Sequence, residues 1–225
     1  MNIPRLLASA LAALATTAGA LDVVATQPPA QVADQQLTIG NRNLKLPAGN
    51  WTYAAGADGS MKMSGITKVA PHRTAYAMDV RDGKMAMAVS LRLPLNSAVV
   101  TGWNEEPCKV EGALFKDDFN SGFTYPQCLL VFKRRTHLSV ASTDSLYGPA
   151  QQWVSSQAIK TGPVYEVFYV RFGSNDFGFV RVFVPTEQVA DDAAIIAWAK
   201  QLQPSLQRLF ENRDTQAALP ALPAK

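Results

Sequence analysis

Five of the six methionines in this 225-residue chain fall between Met61 and Met87. They include two Met-x-Met pairs, Met61 with Met63 and Met85 with Met87. Alternate residues of a strand point to the same side, so each pair shares a face. A two-residue turn at Asp82-Gly83 would set Val80 opposite Met85, Met78 opposite Met87 and Tyr76 opposite Val89. Met78, Met85 and Met87 then lie together, with His72 and Trp51 in the same region. Soft thioether sulfur suits Cu(I), which makes Met78, Met85, Met87 and His72 a candidate copper site. The competing reading is that methionine, being flexible and polarisable, fills the sheet core beside Tyr76, Val80, Val89 and Leu91. The residue types favour this second reading, under which the chain carries no cofactor.

Other chemistry is sparsely provided for. There are only two histidines, His72 and His137, and the second follows the basic run Lys133-Arg134-Arg135. That run could meet an anionic lipid headgroup or cell-wall polymer, or it could be a charged strand end that discourages edge pairing. The chain has no Gly-x-Ser-x-Gly, Ser-x-x-Lys, His-Glu-x-x-His or P-loop pattern. Asp117-Asp118 and Glu105-Glu106 are adjacent acids in polar loops, where solvation is commoner than general acid–base work. Asp117-Asp118-Phe119-Asn120 lacks the ligand spacing of a calcium loop. A hydrolase reading would need an acid or Ser/His arrangement that the linear sequence does not reveal. Asn50-Trp51-Thr52 is a glycosylation sequon, relevant only in a eukaryotic secretory route.

The N-terminus indicates where the chain works. Arg5, an apolar run from Leu6 to Ala15, and Ala18-Gly19-Ala20 form the n-region, h-region and Ala-x-Ala site of a secretory signal peptide. The run is too short to span a bilayer, so no transmembrane segment is expected. The formal net charge of +3 falls by one when Arg5 leaves, which is too small a surplus to argue for nucleic acid. For an exported chain, Cys108 and Cys128 are expected to form a disulfide. Closing that loop would stabilise the fold by about 3 kcal/mol on the chain-entropy model.

These residues need a scaffold, and the strongest element is Val164 to Pro185. Two β-branched and aromatic runs flank Gly173-Ser174-Asn175-Asp176, the pattern of a long hairpin. Its register would set Phe172 opposite Phe177, Val170 opposite Phe179 and Phe168 opposite Arg181. Both faces are apolar, which places the hairpin mid-sheet with cover on each side, and Glu166 falls diagonal to Arg181. Ala75 to Leu93 reads as a second hairpin, apolar on one face only. Gly56-Ala57-Asp58-Gly59 reads as a turn and Pro71 as the end of the strand that follows. A small hairpin spans Leu37 to Leu46, the stretch from Pro94 to Pro126 looks irregular, and Thr136 to Val140 is a possible continuation of the sheet. Weak helical character runs from Ala150 to Ile159. After Pro185, Val189, Ile195, Ile196, Ala199, Leu202, Leu206, Leu209 and Phe210 recur at helical spacing. Thr186 is the expected cap of that helix and Pro204 its expected kink.

The expected architecture is a single α+β domain, a largely antiparallel sheet covered by a C-terminal amphipathic helix and a shorter helix. Its parts are a signal peptide (1–20), a flexible lead-in (21–35), the domain (36–211) and a disordered tail (212–225). The expected function is a periplasmic or secreted, non-catalytic binding or accessory protein of the cell envelope. Its partner would be an envelope protein, lipid or polymer. Cu(I) binding and hydrolysis are the alternatives.

Overall fold

The computed structural model describes residues 19–62, 69–95, 106–120, 125–138, 146–173, 176–211 and 216–222. Apart from its last two residues, the signal-peptide segment lies outside these, as do Met63, Glu105, Ser174, Asn175 and the end of the Thr136–Val140 stretch.

Eight strands form one sheet: β2 (Ala30–Gln31), β5 (Trp51–Lys62), β6 (Val69–Arg81), β7 (Lys84–Pro94), β8 (Phe115–Asn120), β9 (Gln127–Arg134), β10 (Val164–Phe172) and β11 (Phe177–Pro185). Their order is β2-β5-β6-β7-β11-β10-β9-β8, and every pairing is antiparallel. A smaller sheet is made by β1 (Leu21–Asp22), β3 (Gln36–Ile39), β4 (Arg42–Lys45) and β12 (Gln216–Ala218), in the order β1-β3-β4-β12. The helices are α1 (Tyr147–Ser156) and α2 (Asp192–Glu211). The protein is α+β, with a mostly antiparallel sheet, as its residue patterns predict.

The β10–β11 hairpin takes the expected register, with Phe172 opposite Phe177, Val170 opposite Phe179 and Phe168 opposite Arg181. Both of its faces are buried because aromatic and β-branched side chains project to each side. Tyr165, Val167, Tyr169, Val180, Val182 and Val184 join α2 and the small sheet in the largest core cluster. There Phe210 lies directly on β11, since a Cβ at Gly178 would stand 2.0 Å from its ring. On the opposite face, Phe168, Phe172, Phe177 and Phe179 pack with Cys108 and Cys128, while Phe183 and Val164 pack under α1. The shorter helix and the disulfide loop therefore share the task of covering that side.

Several local expectations are corrected. The segment 21–35 is not a loose lead-in, because β1 pairs with β3, β2 pairs with β5, and Val23 and Val32 are buried. The segment after Glu211 is not wholly a frayed tail either. β12 pairs with β4, Ala217 and Leu219 are buried, and the Trp198 indole donates to the Ala221 carbonyl at 3.0 Å. β1 and β12 join the small sheet and β2 the edge of the large one, long-range partners that local composition cannot announce.

Gly56 and Gly59 make no turn, and β5 runs straight through them. They instead admit neighbours: a Cβ would meet the Tyr53 hydroxyl at Gly56 and the His72 ring at Gly59, both closer than 3 Å. Pro71 sits inside β6 rather than ending it, and β8 occupies part of the stretch read as irregular. Asp191 rather than Thr186 caps α2, accepting the Ala194 amide at 2.8 Å, and the helix continues through Pro204. Among the described residues, no helix is long and apolar enough to cross a membrane.

Candidate functional site

The turn at Asp82-Gly83 forms as expected, with φ of 51° and 70°. Arg81 pairs with Lys84 and Val80 with Met85, but a β-bulge follows on β7. Beyond it Asp79 faces Met87, Met78 faces Ala88 and Ala77 faces Val89. The expected pairing of Met78 with Met87 is thereby corrected, because one extra residue reverses every later side chain. Met78 and Met85 lie in the cluster beneath α1, whereas Met87 joins Val89 and Leu91 on the α2 side. The structure thus brings two of the three thioethers into one cluster and separates the third. His72 is elsewhere, buried edge-on to Phe177 and against Gly59. The expectation that this hairpin buries one side only also fails, since Ala77, Asp79, Ala88 and Ser90 are all buried.

Asp79, 2% exposed, follows Ala75 and Ala77 in the alternation of β6 and so enters the end of the core on the α2 side, and the bulge turns Met87 to that same side. A carboxylate there must be hydrogen-bonded to be tolerated. The turn Pro47-Ala48-Gly49-Asn50 and Arg81 supply the partners. The Asn50 amide donates to Oδ1 at 2.7 Å, and Arg81 Nε donates to Oδ2 at 2.9 Å. Arg81 Nη2 lies 2.7 Å from the same oxygen and also donates to the Ala48 carbonyl at 2.8 Å. The Trp51 indole donates to the Pro47 carbonyl at 2.8 Å and completes the clasp. Gly49 is required by close approach: a Cβ there would stand 2.4 Å from an Asp79 oxygen.

Beside this clasp is a groove of about 290 Å³, with Trp51, Met87 and Leu222 among its apolar walls and Arg81 and Gln188 among its polar ones. Its far wall, at Ala221 and Leu222, is tied down through Trp198 and through the Leu219 amide bonded to Lys45. Arg81 is 57% exposed, and its Nη1 is committed to no partner among the described residues. Sequence reasoning passed over Asp79 and Arg81. The available signal was a carboxylate between Met78 and Val80 inside an apolar strand, two residues before a cation.

The basic run is largely engaged within the fold. Lys133 reaches Asp192 at 3.3 Å and lies over the Tyr165 ring. Its ammonium is held above its usual pKa, first by the Asp192 hydrogen bond. The Asp192 carboxyl is correspondingly lowered, first by the Tyr165 hydroxyl and then by Lys133. Arg134 donates to Glu166 at 2.9 Å while stacking on Phe132. Arg181 approaches the other Glu166 oxygen at 3.1 Å, the diagonal pair expected from the hairpin register, and lies over Phe168. Arg135 is exposed, with no ion pair among the described residues.

Cys108 and Cys128 form the expected disulfide. His137 is fully buried, stacked on Tyr76 and edge-on to Phe183, and burial lowers its pKa from 6.5 to about 4. Asp118 pairs with Lys116 and Glu106 with Lys109. Among the described residues, no three His, Cys, Asp or Glu side chains gather as a metal site would require. In comparisons with known proteins, the chain matches no family model, no curated protein and no solved structure.

Proposed function

We propose that this chain is an exported, non-catalytic binding or accessory protein of the cell envelope, whose ligand occupies the groove beside Arg81. The observation that carries the reading is the preorganised arginine. Two of its nitrogens are fixed by a buried carboxylate and a backbone carbonyl, the third has no partner among the described residues, and the side chain lines a largely apolar hollow. A few placed polar groups on apolar walls, held in advance of binding, are what a small-ligand site needs. The secretory pattern at residues 1–20 and the Cys108–Cys128 disulfide support export.

Expression of the full chain in a Gram-negative host, followed by fractionation and N-terminal sequencing, tests export. The expected product is periplasmic or secreted and begins at Leu21, whereas a cytoplasmic chain retaining Met1 would overturn this part. Native mass spectrometry of protein purified from its own envelope tests the binding part. A stoichiometric adduct is expected, released unchanged on denaturation. Time-dependent conversion of the released molecule would instead make the protein an enzyme.

A further inference from the structure

Resting on the binding reading above, we infer that the groove takes a small carboxylic acid with an apolar body. Arg81 only donates hydrogen bonds, and the Gln188 carboxamide, which can donate twice through its NH₂ and accept through its oxygen, has no committed partner among the described residues. Asp79 also lines the groove, but it is only 2% exposed and both of its oxygens are turned to the donors of Asn50 and Arg81, so it offers little to a ligand. The Trp51 indole is likewise spent on Pro47. A ligand group meeting two open donors should carry several lone pairs, and a carboxylate carries about four. Charge assistance from the guanidinium adds to that preference.

The remaining walls, Trp51, Met87 and Leu222, are apolar, so the rest of the ligand must be apolar as well. A hollow of about 290 Å³ corresponds to roughly ten water volumes, room for a body of about ten non-hydrogen atoms. Octanoate and phenylacetate have that size. Asp79 acts here as a positioning residue: it fixes the plane of Arg81 and leaves Nη1 pointing away from the pair it has already made.

Titration of the mature chain with octanoate, phenylacetate and octanol, read by calorimetry and by the indole N–H resonance of Trp51, tests the inference. The acids should bind and shift that resonance, with octanol about tenfold weaker or worse, the usual value of a charge-assisted hydrogen bond. Arg81→Gln should weaken the acids about tenfold and leave octanol unchanged, and Gln188→Leu should act in the same direction with smaller effect. Near-UV circular dichroism would confirm that both variants stay folded. Equal binding of octanoate and octanol, or acid binding indifferent to Arg81→Gln, would overturn the carboxylate class while leaving the groove as a binding site. If the acids fail to bind although an envelope-derived adduct still occupies the groove, the ligand class is wrong and the binding role stands. If neither is seen, both fall.

Discussion

Asp79 shows how much one residue can depend on a neighbour without a side chain. Its carboxylate fills the space where a Cβ at position 49 would lie, at 2.4 to 2.8 Å from three of its atoms. All of those atoms are pinned by Asn50 and Arg81, so the clash cannot be relieved by a rotamer change. Gly49→Ala should therefore destabilise the protein by about 1–3 kcal/mol in urea denaturation. Gly148, in the first turn of α1 with nothing within 4 Å, gives the contrast. Gly148→Ala should be neutral or stabilising by up to about 1 kcal/mol, because it only restricts the unfolded chain.

His137 makes a second prediction at this scale. Its folded pKa is about 4 against 6.5 when solvated, so between those values the unfolded chain holds a proton that the folded chain rejects. Protonation of His137 therefore exacts no penalty above about pH 6.5, and the penalty grows as pH falls toward 4, reaching about 3 kcal/mol. The difference in unfolding free energy between wild type and His137→Leu should change by about 2.4 kcal/mol from pH 7 to pH 4.5. A constant difference across the range would show that the imidazole is solvated.

Among the elements, β9, β10 and β11 are locked by Glu166, which faces Arg134 from one strand and Arg181 from the other. With the carboxylate only 1% exposed and the arginines 32% and 18% exposed, removing the negative charge strands two partly buried cations. Glu166→Gln should cost about 2–4 kcal/mol, discounted for the solvent that still reaches Arg134. A double-mutant cycle with Arg181→Met should recover part of the loss, and strict additivity would show that the triad is not coupled.

The hairpins containing Glu166 and Met78 also show what could be read in advance. The β10–β11 register was legible because alternation and a Gly-bearing turn both specify it, and no extra residue intervenes. The β6–β7 register was legible only as far as Met85. Ala86, the bulged residue, has no sequence mark that separates it from an ordinary small strand residue. The copper face is a consequence of that slip, whereas the Asp79 site was overlooked because the face that carries it was read as unburied. Gly56 and Gly59 misled for a related reason, since a glycine admitting a neighbouring side chain and a glycine making a turn look alike in one dimension.

At the scale of the whole molecule, the small sheet gathers both ends of the described chain. β1 adds to β3 and β12 adds to β4, each in parallel, and together they close the α2 side of the core. A chain that ended after Glu211 would lose Ala217 and Leu219 from that core and expose Trp198, whose indole would also lose its carbonyl partner. Deleting a buried leucine and opening a large aromatic to water should together cost at least about 3 kcal/mol. A merely frayed tail would cost less than about 0.5 kcal/mol. Urea denaturation of the truncated chain distinguishes these outcomes. Amide exchange gives a second reading, because β4 should lose protection along with β12 if the two form one cooperative unit. The same truncation removes Leu222 from the groove. Stability and acid binding should therefore fall together in the truncated chain, whereas Gln188→Leu should lower binding alone.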